Sequence, residues 1–330
     1  MKSYFENPVV VTGGSGFIGN HLIDALERKG AAVVNLDKRE PTVSDKRRGW
    51  QRCDLMDRES LVRKITEIRP RIVYNLAAHA SLQGTVDDMK VNFDGVENLI
   101  VACRQLASQP FIVHASTQLV AGPAIGEFEP LDYKPFSAYG ESKVKSEQVL
   151  RSSDARWTIV RPSNIWGPYH PSFARSIWKY IARRVYMHPT GADVIRSYGY
   201  VENVVHQLVR IAELDDTEVR GKTFYVGDAP ISSAIWLDTF SYALTNRPVR
   251  RVPLWLLKAA AFGGELSARI GGPSPINLGR LKRMTSDFPV PMEGALKVLG
   301  PGPISLEDGV KETVKWLKGT EYVRANTVAV

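Results

Sequence analysis

Tyr139 and Lys143, in the run Tyr139-Gly140-Glu141-Ser142-Lys143, are the residues of this chain best suited to moving a proton near neutral pH. Four residues make about one helical turn, so on a helix the two side chains share a face. A tyrosine hydroxyl ordinarily titrates near pH 10 and is no base at neutrality. An ammonium beside it favours the phenolate and draws that value toward the working range. Upstream, Phe111-Ile112-Val113-His114-Ala115 reads as a buried strand that ends on Ser116-Thr117. A hydroxyl at Thr117 is placed to hydrogen-bond the same substrate oxygen and relay its proton. A Tyr and a Lys four apart are as readily a surface or core feature. Their weight comes from Thr117 and from the partner that the N-terminus supplies.

That partner is a dinucleotide. The β-branched run Val9-Val10-Val11 leads into Thr12-Gly13-Gly14-Ser15-Gly16-Phe17-Ile18-Gly19, and a helical apolar pattern, Ile18, Leu22 and Leu26, leaves it. Strand, glycine turn and helix in that order make a pyrophosphate cradle. Gly13 serves the tight turn, Gly16 lets the backbone approach the phosphates, and Gly19 lets helix and strand pack closely. The first helical N–H groups, at Phe17 and Ile18, then face the phosphates. Ala31–Leu36 reads as the second strand and delivers Asp37 at roughly the twenty-residue offset where a carboxylate grips the adenosine ribose. Asp37 favours NAD, because its charge repels a 2′-phosphate. Lys38 and Arg39 pull toward NADP, the lesser reading.

The first half of the chain alternates strands and helices. A polar, basic loop runs through Gly49, a short strand ends at Cys53-Asp54-Leu55, and a helix spans Arg58 to Ile68. A strand from Arg71 breaks into Asn75-Leu76-Ala77-Ala78. Helices are expected around Val91–Ala107 and from near Ser137, and a strand at Trp157–Val160 ends on Arg161-Pro162. Such alternation with apolar strands argues for an α/β fold, a Rossmann-type doubly wound parallel sheet, with ligands at the strand C-termini. A basic amphipathic helix is expected at Phe173–Tyr186, a helix at Val204–Leu214, a strand at Thr223–Val226 and a last helix at Leu306–Leu317. We therefore expect a dinucleotide domain over 1–165 plus about 200–227. A smaller substrate-binding lobe, mostly C-terminal, takes 166–199 and 228–330.

In order along the chain stand Thr-Gly-x-x-Gly-x-x-Gly, Asp37, Asp54-Leu55, Asn75-Leu76-Ala77-Ala78, Asn92, Thr117, Tyr-x-x-x-Lys and Arg161-x-x-Asn164. With these motifs the chain resembles the extended short-chain dehydrogenase/reductases, in particular their nucleotide-sugar epimerase/dehydratase group, along almost its whole length. The resemblance implies a cofactor site from Gly13, Gly16, Phe17, Ile18, Gly19, Asp37, Lys38, Asp54, Leu55, Leu76, Ala77, Ala78, Asn92, Tyr139, Lys143 and Pro162. It implies catalysis by Thr117, Tyr139 and Lys143, with Lys143 also holding the nicotinamide ribose. Arg161–Pro168 resembles the turn whose Asn, here Asn164, touches substrate. Arg196-Ser197-Tyr198-Gly199-Tyr200-Val201 resembles the segment whose arginine meets a substrate diphosphate, a task suited to a guanidinium fork. His79 and Ser81 are further candidates to line the pocket, although a hydrogen-bonded loop histidine explains His79 equally. The resemblance also implies a homodimer formed by the helices near Val91–Ala107 and Ser137–Leu150.

Departures from that pattern bear on the reaction. Ala121-Gly122 replaces the group's Tyr-Gly, and the segment from Ala78 to Asn92 is short. In the 4,6-dehydratases an Asp-Glu pair follows the catalytic Thr; here Gln118-Leu119 follow, which removes the acid and base of dehydration. The expected activity is NAD-dependent epimerisation of a nucleotide-diphosphate sugar, most simply at C4. The alternative is a reductase or dehydrogenase of a keto sugar or hydrophobic alcohol, since Pro253-Leu254-Trp255-Leu256-Leu257 resembles the sterol-type dehydrogenases. A 4,6-dehydratase and a non-catalytic cofactor sensor rank below both.

Composition limits partners and place. The net charge of +8 suits nucleic acid, a membrane surface or an anionic small substrate. No basic block exceeds Lys46-Arg47-Arg48, which argues against nucleic acid. Cys53 and Cys103 form no framework and lack metal-ligand spacing, so no metal site is expected. Met1–Glu6 leaves no room for a signal peptide before the first strand, and Val252–Gly264, the most apolar later stretch, is too short to span a bilayer. A cytoplasmic protein without stable membrane insertion is expected.

Overall fold

The computed structural model describes residues 7–41, 49–81, 83–122, 129–191, 193–269 and 276–320. Met1–Glu6 and the Lys46-Arg47-Arg48 block lie outside the described residues. By its internal packing the chain divides into two units, one of residues 1–165, 201–228 and 291–303, the other of 166–200, 229–290 and 304–330.

The first unit is built on a seven-stranded sheet. Its strands are β1 (Val9–Thr12), β2 (Val33–Asp37), β3 (Trp50–Arg52), β4 (Ile72–Asn75), β5 (Phe111–Ala115), β6 (Arg156–Pro162) and the strand Thr223–Val226. From one edge the order is Thr223–Val226, β6, β5, β4, β1, β2, β3, and every pairing is parallel. The chain runs outward from β1 through β2 to β3, then returns to place β4 on the other side of β1. That reversal opens a crevice beyond the strand C-termini, where an open α/β sheet takes its ligand.

Helices α1 (Phe17–Arg28), α2 (Arg58–Ile68), α3 (Asp94–Arg104) and α4 (Ala138–Arg151) connect these strands. Helix α1 packs on the helix Val201–Glu213, whereas α2 packs on α3 and α3 on α4. Residues from strands (Val10, Leu36, Val73, Ile112, Ile159) and from helices (Leu61, Ile65, Leu99, Cys103, Leu150) close into one core. Both cysteines are free and buried, and burial pushes the Cys103 thiol up to about 12. Local chemistry sets the helix ends. Asp57 accepts from the Ser60 N–H and starts α2, Ser137 accepts from the Gly140 N–H and starts α4, and Arg69 in a left-handed conformation before Pro70 ends α2. Several boundaries differ from expectation, among them the helix expected at Val204–Leu214, which runs Val201–Glu213. Strand β3 stops at Arg52, before Cys53, and α3 starts only at Asp94 because Asp87–Asn92 winds as a tighter 3-10 turn.

The second unit is held by aromatic packing. Trp236 stacks on Tyr198 with centroids 4.6 Å apart and lies 4.6 Å from Phe240. Trp166 meets Tyr200 at 4.9 Å. A Cβ on Gly309 would lie 2.9 Å from the Trp166 ring, so only glycine lets the helix Leu306–Lys318 come this close. The expected helix at Phe173–Tyr186 is shorter: a wide turn at Ala174–Trp178 buries Ala174 and Trp178, and the α-helical turn Lys179–Ala182 that follows buries Ile181.

Candidate active site

The glycine turn follows β1 and is wedged against the end of β4. Gly13 adopts φ +70°, and a Cβ there would lie 2.6 Å from the Ala77 nitrogen. A Cβ on Gly19 would lie 2.5 Å from the Gly13 carbonyl, so α1 rests directly on the turn. At Gly16 the sole neighbour of such a Cβ is the Gly13 carbonyl at 3.1 Å, which leaves the turn open on that side. Gly16 starts α1 without any side-chain cap, so Phe17 and Ile18 lie in an uncapped first turn.

Asp37, buried at the end of β2, faces this turn. One carboxylate oxygen accepts from the Ser15 N–H at 3.1 Å and the other from the Arg39 N–H at 2.9 Å. The carboxylate is thereby tied to the glycine turn, while Lys38 and Arg39 are exposed beyond it. The Asp54 side chain accepts from the Met56 N–H at 3.0 Å and shapes the turn that buries Leu55. Leu76 is bound through its N–H to the Thr12 carbonyl at 3.1 Å, with Ala77 half-buried and Ala78 exposed.

Asn92 is buried between the loop after β4 and α4. Its carbonyl accepts from the His79 N–H at 2.7 Å, and its amide donates to the His79 carbonyl and, at 2.8 Å, to Ser142 Oγ. Both amide protons are spent within the protein, so Asn92 serves the site by clamping the loop after β4 to α4. The His79 ring bonds the Asp88 carbonyl at 2.9 Å, and Ser81 Oγ donates to the Gln83 carbonyl at 3.0 Å. Both candidates are engaged in local loop bonds.

Thr117 lies buried just beyond β5, and its hydroxyl accepts from the Leu119 N–H at 3.3 Å. Tyr139 and Lys143 occupy the first two turns of α4, whose Gly140 packs so closely on the Leu119 carbonyl that a Cβ would lie 2.6 Å from it. The Thr117 turn and the start of α4 are thus one packed substructure. Lys143 is buried and donates through Nζ to the Ala115 carbonyl at 2.8 Å. Burial lowers its pKa to about 8, against the opposing pull of Glu147. Burial also pushes the Tyr139 phenol up to about 12. Burial is the cause of that rise, and it runs against the acidification expected from Lys143.

Two buried networks hold α4 in register. The Arg161 fork grips Glu147 through Nε at 2.9 Å and Nη2 at 2.8 Å, with both side chains wholly buried, and Nη2 also donates to the Pro130 carbonyl. A second chain runs from Thr12 Oγ1 to Asn75 at 2.6 Å, from Asn75 to His114 at 3.1 Å and from His114 to Ser146 Oγ at 3.0 Å. It ends on the Lys143 carbonyl at 2.7 Å. Burial and the Lys143 charge keep His114 well below the usual histidine range, so the ring is neutral.

Pro162 and Asn164 lie half-buried at and beyond the end of β6. In the second unit, Arg196 Nη2 donates to the Arg283 and Ser286 carbonyls. Burial and the nearby Arg283 charge lower the Arg196 pKa, while Tyr198 and Tyr186 oppose them. Sequence reasoning does not single out Arg283, which lies in an ordinary basic helix. Among the described residues, the buried Ser116 Oγ, Gln118 Oε1 and Ser163 Oγ, all just past β5 and β6, find no hydrogen-bond partner. Orphaned polar atoms at the sheet's ligand-binding edge, together with the open glycine cradle and the tethered Asp37, fit a dinucleotide beside a polar substrate.

A family model described as the NAD dependent epimerase/dehydratase family matches residues 9–227. Among curated relatives, the sterol-4-alpha-carboxylate 3-dehydrogenase (decarboxylating) of Bos taurus is 28% identical over 74% of this chain and 72% of its own. The UDP-glucose 4-epimerase of Mycolicibacterium smegmatis is 27% identical over 94% of this chain and 98% of its own. The crystal structure of the Thermus thermophilus UDP-glucose 4-epimerase complexed with NAD superposes with a TM-score of 0.70 at 23% identity, covering 95% of this chain and 99% of that one. At that identity it speaks for the fold. With the family model spanning the glycine cradle, Thr117, Tyr139, Lys143 and the strand Thr223–Val226, the chain belongs to the NAD dependent epimerase/dehydratase family, as an enzyme whose cofactor is NAD.

Proposed function

We propose that this enzyme epimerises a nucleotide-diphosphate sugar, most simply at C4, by removing a hydride and returning it to the opposite face of a keto sugar. The observation that carries the reading is the packed Thr117–α4 substructure, with Tyr139 and Lys143 one turn apart and Gln118-Leu119, not an acid pair, after Thr117. Full-length similarity to a UDP-glucose 4-epimerase supports it. Bound NAD supplies the hydride acceptor and donor. Gly13, Gly16 and Gly19, the first turn of α1, Asp37, Lys38, Asp54-Leu55, Leu76–Ala78 and Pro162 hold it, and Lys143 takes its ribose. Tyr139 Oη takes the sugar hydroxyl proton and gives it back, with Thr117 Oγ1 hydrogen-bonded to the same oxygen. Asn164 contacts the sugar, and Arg196 binds the diphosphate with Arg283 beside it.

A phenol at about 12 is a poor base, so the tyrosine must lose its proton against a less hostile field than the protein alone provides. Lys143 and the positive nicotinamide are the two charges able to supply it. We also propose a homodimer through α3 and α4, which light scattering on the purified chain tests as a doubled mass.

Dehydrogenation of a hydrophobic alcohol is the second reading, favoured by the sterol dehydrogenase relative. Proton NMR of candidate nucleotide sugars in deuterated water separates the two. Epimerisation without added cofactor, without solvent deuterium at the inverted carbon and without net NADH supports the proposal. Stoichiometric NAD(P)H turnover on a sterol-like or keto substrate, with no inversion of any sugar, replaces it with the second.

A further inference from the structure

Lys143 is gripped at its head and at its root by consecutive residues of β5. Its Nζ donates to the Ala115 carbonyl at 2.8 Å. Its own carbonyl accepts from Ser146 Oγ at 2.7 Å, and that hydroxyl lies 3.0 Å from His114 Nε2. A serine bonded to the carbonyl three residues back is by itself an ordinary helical habit. Here the same oxygen also faces the imidazole. The turn of α4 that carries Lys143 is therefore tied to the sheet by a side-chain bond as well as by its ammonium.

The direction of these bonds is fixed from the far end. Thr12 Oγ1 accepts from the Ala77 N–H at 3.4 Å and donates to Asn75 Oδ1 at 2.6 Å. That orients the Asn75 amide, whose Nδ2 then donates to His114 Nδ1 at 3.1 Å. With Nδ1 an acceptor, the ring proton stands on Nε2 and is given to Ser146, whose hydrogen goes to the Lys143 carbonyl. Thr12, Asn75, His114 and Ser146 are all 0% exposed, so water does not compete for any link. The network ends on a carbonyl and relays no proton; what it transmits is position. Thr12 is the last residue of β1, directly before Gly13 of the glycine turn. One end of the network thus lies at the cradle for the pyrophosphate, the other at the lysine assigned to the nicotinamide ribose. A cofactor that reaches both needs their separation held, and His114 is the middle link.

We propose that His114, through its Nε2–H tautomer, is a positioning residue of the cofactor site and sets Lys143 at a fixed distance from the glycine turn. This rests on the reading in which Lys143 takes the nicotinamide ribose, and it holds whether the reaction is epimerisation or dehydrogenation.

Calorimetric titration of the full chain, freed of bound cofactor, with NAD and with ADP tests it. ADP reaches the cradle but carries no nicotinamide ribose. His114→Leu should weaken NAD roughly tenfold and leave ADP within about twofold of the wild type. His114→Gln keeps an acceptor for Asn75 and a donor for Ser146, and should bring NAD back to within about threefold. Ser146→Ala removes the last link with little change of volume and should weaken NAD about threefold, which keeps the test open if His114→Leu does not fold. Nitrogen-15 NMR of the cofactor-free protein should show the His114 ring protonated at Nε2 alone. Unchanged NAD affinity in His114→Leu and Ser146→Ala overturns the proposal. So does a loss that ADP shares equally, a loss that His114→Gln fails to relieve, or a ring protonated at Nδ1. Lys143→Met separates this inference from the reading beneath it. If that variant binds NAD as the wild type does, the ribose contact is absent and both fall. If it binds weakly while the His114 and Ser146 variants bind normally, this inference alone falls.

Discussion

Burial works against the charged form of both Tyr139 and Lys143, and that sets the cost of using them. Burial raises the phenol to about 12 and lowers the ammonium to about 8. Tyr139→Phe should cut turnover about 100-fold or more while NAD still binds, because it removes the proton carrier and leaves the cradle alone. Turnover and cofactor titration on the same preparation check this. Lys143 titrates at about 8 in the folded chain and at its ordinary 10.5 when exposed. The folded state therefore carries the full penalty below pH 8 and sheds it as pH rises toward 10.5. Lys143→Met should stabilise the protein at pH 7 by on the order of 2–3 kcal/mol while abolishing activity. That gain should shrink as pH rises to 10, which paired denaturation curves read directly.

At the scale of elements, the cradle and α4 are each fixed by contacts that tolerate no substitute. Gly13→Ala combines left-handed backbone with a Cβ 2.6 Å from the Ala77 nitrogen. It should cost about 1–3 kcal/mol and weaken NAD binding by roughly tenfold or more, as calorimetry and cofactor titration would show. The Arg161–Glu147 pair ties β6 to α4 without exposure to water. Glu147→Gln or Arg161→Met alone should cost about 3–5 kcal/mol by stranding a buried partner, and the apolar double variant should recover most of it. A double-mutant cycle in denaturant measures the difference. Glycine spacing after a β-branched strand and the Tyr-x-x-x-Lys period are local, so these positions are legible from residue order. The Arg161–Glu147 pair is not, because its partners lie fourteen positions apart on a helix and a strand that meet only in three dimensions.

For the whole molecule, each unit has its own means of cohesion, a layered aliphatic core in one and an aromatic cluster in the other. Trp236→Ala should cost about 3–5 kcal/mol, visible as loss of near-ultraviolet circular dichroism and an early melting step. The order of elements, the parallel sheet and the placing of Thr117, Tyr139 and Asp37 at strand or helix ends were all determined by residue order, because periodicity and turn chemistry act over a few neighbours. Tertiary structure decided what those groups experience. It made Asn92 a clamp between two segments, drew the His114 ring into a chain that ends on Lys143, and set Arg283 beside Arg196. It also desolvated Tyr139 enough to reverse the shift that its lysine neighbour suggests. Spacing reports which side chains share a face, whereas burial is the sum of everything packed around them, and only the folded chain performs that sum.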